Sequence, residues 1–277
     1  MNIKTAPLWK WILMLIASLL LAFIGYGLIV GVSEMSHSWV VALVAPVVLL
    51  VLYALVVRWF EKEWAPDIFT QKALWHLLMG LVLGVAYMAC VVGIMWLSGC
   101  CTIQRLTWDG AAQFKVFLMF LGVAVGEEIL FRGVLFKWID KRWGLWIAMV
   151  VSGFIFGFVH LTNDNATIWS STAISIEAGL LFGAIYKLSG SLWIPIGLHW
   201  SWNYVQGNIF GFAVSGTDAG SSWLHVVTDG PDIITGGAFG AEASIISVLL
   251  GLGLTILFVW AYLKKNKQEN DPGSLLR

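Results

Sequence analysis

Long apolar stretches separated by short polar ones run through this chain, and their lengths predict its architecture. Apolar runs extend from Trp11 to about Val32, Trp39 to about Phe60, about Ala73 to Leu97, about Phe114 to Trp138, the Trp143-Gly144 turn to about His160, about Ile168 to Leu188, onward from Trp193, and about Ala243 to Leu263. Crossing a bilayer takes about 20 predominantly apolar residues per helix. The pattern therefore predicts an all-α polytopic membrane protein with about eight transmembrane helices. A signal peptide is the rival reading of the first run; its length and the lack of a small-x-small cleavage site after Val30 favour a retained span. Pro46 is expected to kink the second helix, and Pro195 falls in the first turn of the seventh, where a missing N–H costs nothing.

The polar intervals subdivide the chain. Arg58 to Lys72, with Pro66-Asp67, reads as a loop or surface helix, and Ser98 to Ala112 as an interfacial segment. Val214 to Ala241 is rich in Gly, Ser, Thr and Asp, lacks Lys and Arg, and reads as an exposed loop; the tail from Asn270 reads as disordered. Three regions follow: N-terminal transmembrane helices with the interfacial segment over 1–113, a core over 114–212, and the loop, last helix and tail over 213–277.

Composition agrees with a membrane protein. Of 277 residues 59% are hydrophobic and 12% charged, and the mean hydropathy is +0.85. The net charge of zero gives no reason to expect a nucleic-acid partner. Three cysteines form neither a disulfide framework nor a Cys-x-x-Cys pair. Charge placement is more informative. The eight-span arrangement puts Lys4, Lys10, Arg58, Lys62, Lys72, Lys137, Lys141, Arg142, Lys187, Lys264, Lys265 and Lys267 on one side, with Arg105 and Lys115 on the other. Basic residues favour the cytoplasm, so both termini are expected there, in a prokaryotic plasma (inner) membrane.

Ionisable residues inside apolar runs cost at least ~2.5 kcal/mol each unless they pair or meet water. Glu127 and Glu128 lie in the fourth run, four residues ahead of Arg132 in the second case, so Glu128 and Arg132 can pair along one helix face. Glu127, rotated by about 100°, needs another partner. His160 and His199 are the two histidines at bilayer depth, whereas His37, His76 and His225 fall in loops or near span ends. Glu127 and His160 are each roughly 24 Å from the Trp143-Gly144 turn by helix rise, which makes them level. Measured from Trp138, Trp146 and Trp193 as interface markers, they and the His199 to Asn203 turn lie roughly 10 to 20 Å deep. His199 and Asn203 share one face. A carboxylate, two imidazoles and an amide at one buried point suit hydrolysis: the glutamate takes a proton from water, one imidazole positions that water or protonates the leaving amine, and the other imidazole with the amide stabilises an oxyanion. The same Glu127, His160 and His199 set can instead hold a divalent metal such as Zn2+. Glu177, also buried in an apolar run, is open to pocket, packing and proton-pathway readings.

Glu127-Glu128-x-x-x-Arg132, Phe156-x-x-x-His160 and His199-x-x-x-Asn203, in that order on separate spans, make the sequence resemble the CPBP family of CAAX-protease and bacteriocin-processing (Abi) intramembrane proteases. The likeness covers roughly 114 to 210 and includes Ser189-Gly190-Ser191-Leu192-Trp193-Ile194-Pro195-Ile196. It implies a CAAX-protease-like bundle and an endopeptidase that cleaves near the end of a membrane-associated protein or peptide. By the resemblance, Glu127 and His160 activate water, His199 and Asn203 form the oxyanion site, and Glu128 and Arg132 support the first motif helix, with Phe156 a further supporting residue. The family is commonly labelled metalloprotease, yet no His-Glu-x-x-His helix is present. The alternatives are a non-catalytic bacteriocin-immunity or scaffold membrane protein and a proton-coupled transporter; against transport, no pair of similar halves with broken helices stands out.

Overall fold

The computed structural model describes residues 39–106, 109–270 and some positions between 7 and 27. Most of the first apolar run, with Lys4, Lys10 and the tail 271–277, lies outside the described residues. The protein is an all-α polytopic membrane protein. Among the described residues, five helices are long and apolar enough to cross a membrane: Val40–Glu61, Ala73–Leu97, Leu145–Thr162, Ile168–Ser189 and Ile245–Glu269. Two further helices occupy the fourth and seventh expected positions. Gly110–Glu128 continues through a π-helical stretch, Ile129–Phe136, into Lys137–Trp143 without a break, and Trp193–Tyr204 continues into a π-helical Val205–Ile209. These two carry the site's carboxylates and one of its histidines, and are the less uniformly apolar for it.

Close backbone approach positions them. Helix Ala73–Leu97 crosses helix Trp193–Tyr204 where Gly80 and Gly84 meet Gly197 and Ser201; a Cβ on Gly80 would fall on Ile194 O, and one on Gly84 on Ser201 Oγ and Leu198 O. In lipid, where apolar burial gives little drive, such small-residue contacts are what hold helices together. Gly144 makes the tight turn between helices 110–143 and Leu145–Val159 with φ 88°, a conformation open to glycine at no steric cost.

Two polar segments are more ordered than their composition suggests. Residues 62–72 form a turn whose Asp67 is 2% exposed. Its carboxylate accepts from Tyr53 (2.5 Å) and Tyr186 (2.9 Å) and lies 3.3 Å from Lys137 Nζ. Lys141 and Trp138 bind Glu61 next to it. The stretch 214–241 differs from the expected exposed loop. Leu224–Thr228 pairs antiparallel with Cys101–Leu106, in the expected interfacial segment, with Cys101 opposite Thr228 and Leu106 opposite Leu224. Short helical turns follow, and Phe239, Ala241, Glu242 and Ala243 are buried. Residues 213–243 thus fold back as a cap on the bundle. The partner strand is more than a hundred positions away in sequence, which is why local composition reads as loop.

Candidate active site

Four side chains expected to converge do so under this cap. Glu127 stands one residue short of the end of Gly110–Glu128, and His160 is the residue at which helix Leu145–Val159 ends. Glu127 Oε2 lies 4.0 Å from His160 Nε2 and 4.0 Å from His199 Nε2. His160 Nδ1 is 2.7 Å from Phe156 O. A carbonyl only accepts, so Nδ1 carries the hydrogen and Nε2 presents a lone pair. His199 Nδ1 is 2.9 Å from Glu128 Oε1, with the same consequence for its Nε2. Three acceptor atoms therefore face one another with no donor between them. Glu127 Oε2 is buried with no hydrogen-bond partner among the described residues. A buried acceptor of this kind calls for a water or cation.

Glu128 is the hub of the support. Fully buried, it takes Arg132 Nη1 at 2.9 Å as well as His199. Arg132 gives its second nitrogen to Ala178 O (3.0 Å) and Gly179 O (3.4 Å). Its guanidinium carbon lies 4.3 Å from the Phe156 ring centre and 4.9 Å from that of Phe182. Phe156 of the second motif thus covers the arginine's face and fixes His160 through its carbonyl. Ala178 and Gly179 sit in a second π-helical stretch, Ser175–Leu180, so the arginine reaches carbonyls of a widened turn. Single π turns are frequent at functional sites.

A cavity of about 20 Å³ opens beside the imidazoles, lined by His160, His199, Asn203, Trp202, Ser215 and Glu242 among others. That is room for one water-sized group. Glu127 is not among its lining residues, but both imidazoles that line it lie 4.0 Å from Glu127 Oε2. Glu242 had no place in the sequence reading. It arrives from the cap, 3% exposed, accepting from Ser215 N–H and from Trp202 Nε1 at 3.2 Å. Burial pushes its carboxyl above the usual range, against the pull of the Ser215 backbone and of His160. The available signal was a carboxylate between two alanines immediately before an apolar run. Glu177 is not part of this cluster's first contacts; it is fully buried and accepts from Ser247 Oγ, whose neighbour is Tyr87 OH.

The expected metal set is right in kind and wide in spacing. Imidazoles whose Nδ1 is held by a carboxylate or carbonyl are typical zinc ligands. A tetrahedral zinc keeps such donors at about 2.0–2.2 Å, which sets them roughly 3.4 Å apart, and here the two measured separations are 4.0 Å. No group of three or more His, Cys, Asp or Glu among the described residues is gathered closely enough to hold an ion. As placed, these residues do not fit a bound metal.

Comparison with known proteins bears on the same stretch. The family model described as type II CAAX prenyl endopeptidase Rce1-like matches residues 110–205. This matched stretch contains Glu127, Glu128, Arg132, Phe156, His160, His199 and Asn203 and stops short of the cap. That description agrees with the family which the three motifs resemble. No curated protein and no solved structure matches the chain.

Proposed function

We propose that this chain, with its CAAX-protease-family segment over 110–205, is an intramembrane endopeptidase that uses Glu127 to activate a water against a peptide bond near the end of a membrane-associated protein or peptide. The observation that carries the reading is the convergence of Glu127 Oε2, His160 Nε2 and His199 Nε2 at 4.0 Å. A water with hydrogen bonds of about 2.8 Å spans two acceptors 4.0 Å apart at an angle of roughly 90°, comfortable for its two hydrogens. Glu127 takes one proton as the water oxygen attacks the scissile carbonyl carbon; His160 holds the other hydrogen and orients the lone pair. The carbonyl oxygen, now negative, enters the small cavity. Asn203 donates to it there, and His199 lines the same cavity with its Nδ1 bound to Glu128. Collapse of the tetrahedral intermediate breaks the C–N bond, and the proton taken by Glu127 leaves on the amine. No step in this scheme runs through a metal.

The test is cleavage of a mixed library of membrane peptides by the purified chain in detergent. Wild type should cleave, while Glu127→Gln and His160→Ala should lose about 10²–10⁴-fold in rate with unchanged unfolding temperature. Chelator treatment and metal analysis of the same samples test the metal-free scheme. Undiminished cleavage by Glu127→Gln would refute the assignment of the base.

A further inference from the structure

The matched segment ends at residue 205, yet part of the catalytic cavity's wall comes from beyond it. Glu242 belongs to the turn Ala241–Ala243 just before the last helix, is 3% exposed, and lines the cavity of about 20 Å³ together with His160, His199 and Asn203. Both of its oxygens are fixed. Ser215 N–H donates to Oε1 and Trp202 Nε1 to Oε2 at 3.2 Å, and Ser215 and Trp202 themselves line the same cavity. The carboxyl is therefore held between two pieces of the cavity's wall. Trp202 is locked in turn by stacking on Tyr87, with ring centres 4.1 Å apart and planes at 24°, while Tyr87 OH donates to Ser247 O at 2.7 Å. A group fixed this way is in place before any charge develops, which is what makes a hydrogen-bond donor effective in catalysis.

Buried carboxyl groups are ordinarily paired with a cation. Here the Lys and Arg ion pairs among the described residues go to Glu61, Asp67, Glu128, Asp140 and Glu269, and none to Glu242. The titratable groups that face it are His160 and His199 across the cavity and, next to Trp202, Tyr87, whose partner Ser247 also holds Glu177. Burial in this company favours the neutral acid. An oxyanion formed in so small a space meets the Asn203 amide, the Glu242 carboxyl and two imidazoles whose Nδ1 atoms are already engaged by Phe156 O and Glu128. As a carboxylate Glu242 would repel it. As an acid it is a second donor beside Asn203.

Resting on the reading of the site as a protease, we propose that Glu242 is a fifth catalytic residue, a neutral carboxyl that donates its O–H to the oxyanion of the tetrahedral intermediate. Its proton stays on Glu242 throughout, and the proton that leaves on the amine is still the one taken by Glu127. The bonds from Ser215 and Trp202 persist, because a hydroxyl oxygen accepts while it donates. A carboxylic acid kept neutral by an apolar site is an established kind of oxyanion donor. The matched segment then holds the base, the imidazoles and one donor, and the cap completes the site with the other.

The test uses the purified full chain in detergent and one peptide that it cleaves, picked from a mixed library of membrane peptides. Glu242→Met occupies similar space without a donor and should lower kcat by about 10²–10³ with KM within roughly threefold of wild type. Glu242→Gln keeps a weaker donor and should recover most of that loss, to within roughly tenfold of wild type. A residue that merely pins the cap would move KM or the melting temperature instead. Infrared difference spectra of wild type against Glu242→Gln, taken at the pH of the cleavage assay, should show a protonated-carboxyl band; this reading stands even if the methionine variant folds poorly. Glutamine as slow as methionine, a methionine effect confined to KM or the melting temperature, or no such band overturns the proposal, while cleavage by wild type leaves the protease reading standing. Absence of cleavage by wild type overturns both.

Discussion

Replacing Arg132 by methionine isolates the energetic role of the buried pair at the centre of the site. Arg132 is 1% exposed and is the only Lys or Arg paired with Glu128 among the described residues. Methionine keeps the length and the contact with Phe156 and Phe182 but strands the carboxylate, whose Oε2 already lacks a partner. Removing one member of a buried ion pair costs about 3–5 kcal/mol, because the remaining charge stays out of water. The lost stacking on two aromatic rings adds about 0.5–2 kcal/mol, part of which the thioether recovers. The expected loss is therefore about 3–5 kcal/mol, a fall in melting temperature on the order of 10 °C. Adding Glu128→Gln should restore most of it, since no charge is then stranded. The assay is thermal unfolding in detergent, read by the reactivity of Cys101, 2% exposed in the folded chain, with Cys90 and Cys100 replaced by serine. If Arg132→Met costs less than about 1 kcal/mol, or if the double variant is as unstable as the sum of the two singles, the pair is not the desolvated unit described here.

Three further outcomes follow from the geometry. Asn203→Ala should lower kcat by about 10²–10³ with little change in KM or melting temperature, the signature of a lost oxyanion donor; a kcat within roughly threefold of wild type would remove Asn203 from the mechanism. Gly84→Val sets a side chain against Ser201 Oγ and Leu198 O and should sharply reduce the yield of folded protein, whereas Gly93→Val, with open space around it, should be tolerated; equal yields would mean the helices can part. Burial raises the Glu242 carboxyl, so the folded chain holds that proton where the unfolded chain has lost it. Stability should then fall as pH rises through the window just above the ordinary carboxylate range, and Glu242→Gln should flatten that slope in melting curves taken from pH 4 to 8.

Much of the site was legible because charge in an apolar run is conspicuous. Glu127, Glu128 and Arg132 stand out on cost alone, and equal counts from the Gly144 turn bring Glu127 level with His160, as the 4.0 Å separation reflects. The partition of roles between the two glutamates was harder. Glu128 was readable as Arg132's partner, but its second bond, to His199 Nδ1, crosses from one helix to another and depends on how each is rotated. Three π-helical stretches, at Ile129–Phe136, Ser175–Leu180 and Val205–Ile209, turn the faces out of the regular 3.6-residue register, and nothing in the hydrophobic pattern announces them. Asp67, beside a proline in a charged stretch, has the local look of a surface turn; Tyr53, Tyr186 and Lys137, all distant in sequence, bury it. Glu242 was missed for the same reason as strand Leu224–Thr228: its partners Ser215 and Trp202 are distant in sequence, one from the far side of the cap and one from a separate helix.

The division between what was legible and what was not coincides with a division of labour along the chain. Within 110–205 the polar cluster is bound to itself and to one departure from regular helix: Arg132 takes the carbonyls of the Ser175–Leu180 turn, Phe156 O anchors His160, and Glu128 gathers arginine and histidine. Those contacts are mutually dependent, so a change at one member strands another, and the motif can vary little without losing its geometry. The cap obeys a looser logic. It is held to the bundle by hydrogen bonds from Asn163, Asn165, Trp169, Trp202, Asn208 and Gln113, by the strand pair with Cys101–Leu106 and by buried Phe239, Ala241 and Ala243, while its tip residues Asp218, Asp229 and Asp232 are exposed. Substitutions at that exposed tip strand no charge in lipid. The matched segment and the cap can therefore change independently, since a substitution at the cap's exposed tip leaves the Glu128, Arg132 and His199 contacts in place.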